Sequence, residues 1–145
     1  MSFELPPIVK LAEQVLVDIE NAVRRFSRFH KYTHGAQLRE QAMKVARLAH
    51  RAWRDRRRQA EWIFKLVWQI DDLKLSLQLG MRIKAFASFA QFEALARAVA
   101  VLGKQAGGWH KEQQQQSKGQ NPLQRVAPER AQILSTHAAS AEAKL

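Results

Sequence analysis

The side chains of this sequence best suited to chemistry are cations, and most of them lie in one stretch, residues 24–65. Thirteen lysines and arginines stand there against three carboxylates, a local net charge of +10 in a chain whose total is +11. Ten of the thirteen are arginine, whose planar guanidinium suits bidentate contacts with phosphate. Concentrated charge of one sign repels itself, and a polyanion offsets that cost. The stretch therefore predicts a nucleic-acid partner.

Eleven cations are predicted to contact phosphates, nine in the basic stretch and two on the helix that follows it. They are Arg24, Arg25, Arg28, Lys31, Arg51, Arg54, Arg56, Arg57, Arg58, Lys74 and Arg82. Tyr32 and Phe29 lie among them and could stack on unpaired bases, whereas we expect Trp53 to pack in the core. The sequence has no zinc finger, RNP motif or GXXG loop, so we predict binding to RNA or DNA through the backbone without reading of base sequence.

An acidic protein and an anionic membrane also suit a basic surface. The acidic protein stays open as an alternative, with the chain as a helical interaction scaffold. The membrane is disfavoured because cations surround the helix and leave no clean apolar face for lipid. No apolar run reaches membrane-spanning length, and the first residues lack the pattern of a secretory signal. We therefore expect a cytoplasmic protein with no membrane partner.

Patterns typical of catalysis and metal binding are missing from the sequence. There is no cysteine, which excludes a disulfide framework, a cysteine–zinc site and a thiol nucleophile. His30 and His34 flank a turn without a nearby carboxylate, so we expect surface or hinge histidines there and no metal. Asp71 and Asp72 are adjacent and point in different directions on a helix, which does not make a catalytic pair. We predict no catalytic residue, no cofactor and no enzymatic activity.

Helices must position these residues. Proline is absent and glycine is sparse between residues 8 and 109, and apolar residues recur at spacings of 3 and 4. This pattern predicts an all-α fold, an antiparallel up-down four-helix bundle, over residues 1–112. Beyond residue 112 the composition becomes polar and glutamine-rich, so residues 113–145 are predicted to form a disordered tail.

Local signals predict where the helices begin. The first starts at Pro7, a residue favoured in the first turn. Thr33 caps the second, with Gly35 easing the turn before it. Asp55 is the only cap candidate ahead of the third helix, so one long continuous helix is a minor alternative. The fourth begins at Ser88, with a glutamine three residues on that completes a capping box.

The third predicted helix is apolar on two opposite sides. At about 100° per residue, the core side comprises Trp62, Ile63, Leu66, Val67, Ile70, Leu73 and Leu77. The other side comprises Phe64, Trp68, Leu75 and Leu79. A helix that is apolar on two sides is buried on two sides, and one bundle supplies only one core. We therefore predict that the second side is an interface between subunits; the alternative is that the tail or neighbouring loops shield it. On the fourth helix, Gly103, Gly107 and Gly108 are expected to permit close helix packing, or to let a backbone pack under Trp109.

Three segments of the chain form a series of motifs. They are Phe26-Ser27-Arg28-Phe29-His30-Lys31-Tyr32-Thr33-His34-Gly35, Ile70-Asp71-Asp72-Leu73-Lys74 and Leu102-Gly103-Lys104-Gln105-Ala106-Gly107-Gly108-Trp109-His110-Lys111. In order and spacing they resemble the elements Phe-Pro-Lys-x-x-Arg-Tyr-x-Leu-Gly, Leu-Asp-x-Leu-Lys and Ile-Gly-Lys-x-Leu-Gly-Gly-Trp-x-Lys. These elements belong to the Avd-like (accessory variability determinant) four-helix-bundle proteins of diversity-generating retroelements. The resemblance covers about residues 8–111. The chain departs from the pattern at Ser27, Lys31, His34 and Gln78, where the family has Pro, Arg, Leu and a basic residue.

The resemblance implies a bundle that assembles into a ring-like homopentamer with a basic surface. It also implies binding to the reverse transcriptase of the retroelement and to nucleic acid, in support of mutagenic copying of a template RNA into variable cDNA, without catalysis by the bundle itself. A related family of bundles, encoded in intervening sequences of large-subunit ribosomal RNA genes, is the nearest alternative. The Gly-Gly-Trp ending at residues 107–109 favours the Avd-like group.

Overall fold

The computed structural model describes residues 4–120, with side chains to residue 116, and within that range it is helical with no strand. Five helices follow one another: α1 (Pro7–Arg24), α2 (Arg28–Lys31), α3 (His34–Arg54), α4 (Gln59–Arg82) and α5 (Phe89–Gln120). The all-α prediction is confirmed. The four long helices are the four predicted ones, and α2 is a single extra turn within the segment that joins the first two.

The four long helices share one apolar core. Each contributes a stripe at spacings of 3 and 4, as the sequence predicts. The buried members of the core include Val9, Ala12, Val15 and Ile19 from α1, Leu38, Ala42, Val45 and Ala49 from α3, Leu66, Ile70, Leu73 and Leu77 from α4, and Leu95, Val99, Leu102 and Ala106 from α5. Full burial of one of the larger side chains contributes about 1.5–3 kcal/mol. The core therefore holds the four helices together as a helical bundle.

The connection between α1 and α3 differs in detail from its prediction. Thr33 does occupy the N-cap position of α3, but its hydroxyl donates to the carbonyl of Phe29 at 3.1 Å, and its side chain does not cap α3. Gly35 lies in the first turn of α3, and no described glycine has a positive φ. A Cβ on Gly35 would lie 2.7 Å from Cγ1 of Val23. Gly35 thus provides space for α1 against α3, and not freedom in a turn.

The helix is interrupted between α3 and α4, beginning at Asp55. The alternative that the second and third predicted helices form one continuous helix is therefore excluded. Asp55 is the C-cap residue of α3, and its Oδ1 accepts a hydrogen bond from the backbone N–H of Arg58 at 3.3 Å. Gln59, the first residue of α4, connects the two helices, because its side-chain amide donates to the carbonyl of Ala52 in α3 at 2.8 Å. A carboxylate at this position satisfies backbone groups that the helix ends leave unpaired.

The α4–α5 connection contains Lys84 at φ 60°, the one non-glycine residue with positive φ in the described part of the chain. The N–H of Ala85 donates back to the carbonyl of Gly80 at 2.9 Å, which is how a left-handed residue closes the end of a helix. The predicted cap of α5 is confirmed, since Ser88 Oγ accepts from the N–H of Gln91 at 3.1 Å. Only half of the capping box forms, because the Oε1 of Gln91 is buried without a hydrogen-bond partner among the described residues.

α5 continues to Gln120, past the predicted boundary at residue 112. The compact unit that contains the four packed helices ends at His110. The assignment of residues 113–145 to a separate tail remains a prediction, and residues 121–145 lie outside the described part. No helix between residues 4 and 120 combines the length and the apolar character needed to cross a membrane.

Candidate nucleic-acid interface

The predicted cations at the α1–α2 connection lie on the surface. Arg24, Arg25 and Arg28 are exposed, and Lys31 is half-buried. Arg24 and Arg25 line a shallow pocket of about 490 Å³ whose other lining residues, Asn21 and Gln91, are also polar. A pocket lined by two guanidinium groups and two amide side chains has the chemistry to hold a phosphate.

Two aromatic rings stand out into solvent beside these cations. Phe29 on α2 is 80% exposed, and Tyr32, directly after α2, is 72% exposed. The ring of Phe29 makes an edge contact with His30, with centroids 5.0 Å apart. Exposed rings next to cations are the combination that single-stranded nucleic acid uses for stacking. Trp53, in contrast, packs against the core as expected.

A row of arginines on α3 borders a concave surface between α1 and α3. Arg47, Arg51 and Arg54 follow one another at spacings of four and three, so they lie on one face of the helix. With α1 they enclose a groove of about 780 Å³, here called the α1–α3 groove. Its lining residues are Glu13, Leu16, Met43, Ala46, Arg47, His50, Arg51, Arg54 and Asp55. Arg47 was not among the predicted contacts, although its spacing to Arg51 and Arg54 was a usable signal.

The turn between α3 and α4 is built around Trp62, which was predicted to lie in the core and instead lies half-exposed beneath three cations. The charged groups of Arg51, Arg58 and Lys65 lie 5.4, 5.3 and 4.9 Å from its ring centroid. The indole N–H donates to Asp55 Oδ2 at 3.0 Å. We call these five residues the Trp62 cluster. Cation–π contacts hold each cation by about 0.5–1 kcal/mol at exposed sites.

A carboxylate, that of Glu61, pairs with two of the cations around Trp62. Arg58 donates two hydrogen bonds to Glu61, at 2.9 and 2.8 Å, and Lys65 lies 3.5 Å from the same carboxylate. These hydrogen bonds lower the pKa of Glu61, and the same bonds raise the pKa of the Arg58 guanidinium. The hydrogen bond from Trp62, supported by the backbone and charge of Arg58, holds the pKa of Asp55 below its usual range.

The predicted arginines of residues 54–58 therefore differ in availability. Arg58 is committed to Glu61 and Trp62, so its guanidinium stabilises the turn. Arg54, Arg56 and Arg57 are exposed and form no ion pair with another residue of the described range. They are the cations of this turn that are free to meet a phosphate.

The two predicted cations on α4 lie in different surroundings from this turn. Lys74 is half-buried, 3.9 Å from Asp71, and its side chain lies over Gly103 of α5. It lines a pocket of about 210 Å³ between α4 and α5 with Leu77, Gln78 and Phe92 among others. Arg82 is exposed at the last residue of α4. Neither residue lines the α1–α3 groove.

The second apolar side of α4 faces solvent in the single chain. Its members are 40 to 45% exposed and form what we call the α4 outer face: Phe64, Trp68, Leu75 and Leu79. The ring of Phe64 contacts Trp68 at a centroid distance of 6.5 Å and His110 of α5 at 6.1 Å. Burial lowers the pKa of His110, which favours its neutral form beside these rings.

The prediction that the glycines of α5 permit close packing holds only in part. A Cβ on Gly103 would lie 2.8 Å from Nζ of Lys74, so this glycine does allow a close approach, although of a side chain. A Cβ on Gly107 or Gly108 would meet no atom within 4 Å. The expectation of close helix packing is therefore wrong for these two glycines within the described bundle.

Two histidines form hydrogen bonds between helices. His34 was predicted to be a surface or hinge histidine, and its Nε2–H donates to the carbonyl of Ser76 at 2.8 Å, which ties the start of α3 to α4. His50 on α3 bonds Glu13 on α1 at 2.7 Å. Residues 4–116 contain no group of three histidine, aspartate or glutamate side chains placed to hold a metal ion.

Comparison of the sequence with protein-family models and with curated proteins finds no match.

Proposed function

We propose that this protein is a non-enzymatic nucleic-acid-binding factor that assists the reverse transcriptase of a diversity-generating retroelement. One observation carries the nucleic-acid part: Arg54, Arg56 and Arg57 project from the α3–α4 turn without ion-pair partners among the described residues, beside an arginine-lined groove. Surface charge of this kind is costly to keep unless a polyanion offsets the repulsion. The reverse transcriptase and the template RNA enter the proposal through the resemblance of residues 8–111 to the Avd-like bundles.

The assembly in this proposal is a ring of up-down bundles, pentameric by the same resemblance. Short connections between successive helices favour neighbours that run antiparallel. The α4 outer face supports self-association, because four large apolar side chains on one helix face are a costly surface for a monomer to expose. A ring also repeats the basic turn around its circumference. Several weak phosphate contacts on one nucleic acid then act together, with avidity well above that of one bundle.

Charge reversal at the turn tests the nucleic-acid part. We expect Arg56→Glu with Arg57→Glu to weaken binding of a 20-nucleotide RNA by about tenfold or more in low salt. The slope of log affinity against log salt should fall in magnitude by about 1.4, the share of two contacts on a single strand. Fluorescence anisotropy across a salt titration measures both quantities.

The matched control is Lys10→Glu with Lys104→Glu, which changes net charge equally at exposed sites on α1 and α5. If both double variants lose affinity equally, the turn is not a binding site and only the total charge matters. If the unmodified protein does not bind RNA or DNA at any salt concentration, the nucleic-acid function itself is wrong.

The retroelement part has a separate test. Co-expression with the reverse transcriptase encoded beside this gene should yield a complex that survives size-exclusion chromatography. A gene neighbourhood without a reverse transcriptase and a paired template and variable repeat would contradict this part and leave the nucleic-acid part standing.

A further inference from the structure

The α1–α3 groove combines an apolar floor with a cationic rim, which phosphate contact alone does not require. Leu16, Met43 and Ala46 form the floor, and Met43 is 40% exposed although it is a large apolar residue. Arg47, Arg51 and Arg54 border the groove. The first and last of them are separated by about 10 Å along the helix axis. A partner that fits must present apolar surface and negative charge within that length.

Arg51 is the cation of this rim that contacts an aromatic ring. Its guanidinium lies 5.4 Å from the ring centroid of Trp62, and that indole is in turn hydrogen-bonded to Asp55. Arg47 and Arg54 form no ion pair within residues 4–116. The rim therefore offers one positioned guanidinium plane, on which a base can stack, between two cations available for phosphates.

Two carboxylates also line the groove. Glu13 accepts from His50, and Asp55 accepts from Trp62 and the backbone of Arg58. Each carboxylate has lone pairs beyond these bonds. The N–H groups of unpaired bases, both exocyclic amino groups and the ring N3–H of uracil, donate to carboxylates, whereas an acidic peptide would bring further carboxylates against them. The lining thus favours a nucleotide over an acidic protein segment.

Duplex nucleic acid cannot use the floor. Its bases are stacked inside the helix and expose only their edges in the grooves, not their faces. An unpaired base exposes a π-face that packs on apolar side chains and on guanidinium planes. The volume of about 780 Å³ lies within the range of small-molecule sites, about 300–1,000 Å³. This is room for an unstacked base with its sugar.

We propose that the α1–α3 groove binds an unpaired nucleotide of a single-stranded nucleic acid, with the base on the Leu16–Met43 floor and the flanking phosphates on Arg47 and Arg54. This inference rests on the proposed nucleic-acid binding and adds to it a preference for single strands. Arg56 and Arg57 then guide the strand by charge alone, while the groove distinguishes it from a duplex.

The test replaces an apolar residue of the groove floor by a neutral polar one, so the net charge of the protein stays the same. Met43→Ser should weaken binding of a fluorescein-labelled 12-nucleotide oligouridine by about fivefold or more, the lower range for loss of one base contact. Affinity for a 12-base-pair RNA duplex should stay unchanged, and so should the salt slope with oligouridine, because no phosphate contact is removed. Val101→Ser is the control, since Val101 is similarly exposed at 47% and lies on α5.

Equal affinities of Met43→Ser and Val101→Ser for oligouridine, in a protein whose native form binds it, would overturn the groove and leave the proposed function intact. Equal losses for oligouridine and duplex would also overturn it. An 18-residue peptide of alternating glutamate and leucine serves as the probe for an acidic protein partner. If Met43→Ser weakens binding of that peptide and not of oligouridine, the groove is a protein site and the inference is wrong.

Discussion

Gly35 and Gly108 are both helical glycines, and their surroundings are opposite. A Cβ on Gly35 would lie 2.7 Å from Val23 and 3.2 Å from the carbonyl of His30, whereas a Cβ on Gly108 would meet nothing within 4 Å. The sequence shows that both are glycine and does not show why. The distinction depends on what the neighbouring helix places against each Cα.

We expect Gly35→Ala to destabilise the fold by about 1–3 kcal/mol, as overpacking of a tight contact does. Gly108→Ala, the matched control, should stabilise it by about 0.5–1 kcal/mol, because alanine is the better helix former. Urea denaturation followed by circular dichroism measures both. A Gly35→Ala protein as stable as the parent would show that α1 and α3 do not pack as closely as described.

At the same scale, Trp62 illustrates what residue patterns miss. Its angular position placed it with Ile63 and Leu66 on the core side, and those two are buried. Trp62 lies at the edge of that side and is close to Arg51, which comes from another helix. Helical periodicity describes one helix at a time, so it cannot reveal a cation contributed by its neighbour.

The helix boundaries were predictable where the signal was local. Pro7 begins α1 and Ser88 caps α5, because each acts on backbone groups within a few residues of itself. The end of α5 was not predictable from composition. Glutamine is a good helix former, so the glutamine-rich segment after residue 112 continues the helix although it has no apolar stripe to bury.

The α3–α4 turn is the element where pH should act. Because Asp55 and Glu61 have pKa values lowered in the folded state, their contribution to stability is complete above the unfolded pKa values, about 4. It is lost as pH falls further, through their folded pKa values. Asp55→Asn removes the carboxylate that Trp62 and Arg58 share.

We therefore expect Asp55→Asn to lower the Tm at pH 7 and to lower it by less at pH 3, below the ordinary pKa of an aspartate, where the stability that the carboxylate contributes is already reduced. Thermal denaturation at the two pH values measures the difference. Asp18→Asn, an exchange on α1 where the carboxylate accepts from Gln14 one turn earlier, is the control. A Tm gap for Asp55→Asn that is equal at both pH values would rule out an electrostatic role for this carboxylate.

At the scale of the whole molecule, the α4 outer face is the surface that the single bundle leaves unexplained. Its four apolar side chains lie opposite the buried side of the same helix. The sequence could predict this face because both sides belong to one helix and have the same period. It could not predict the number of subunits, which depends on the angle between neighbouring copies.

We expect Trp68→Glu with Leu75→Glu to dissociate the assembly into single bundles of 16.7 kDa, because two charges would be buried at each contact without partners. Multi-angle light scattering measures the mass. Val17→Glu with Val101→Glu is the control, at two exposed valines of α1 and α5. A native protein that is already monomeric, or a double variant of unchanged mass, would exclude this face as the interface.

The Trp62 cluster and the unpaired arginines beside it should be under different selection over evolutionary time. In the proposed function Arg56 and Arg57 contribute only to a sum of charge, so an arginine lost at one of these positions can be replaced by one gained nearby. Asp55, Arg58 and Trp62 depend on one another's positions, and none of them can move alone. Across lineages we expect Arg56 and Arg57 to shift within the turn while Asp55, Arg58 and Trp62 stay fixed together.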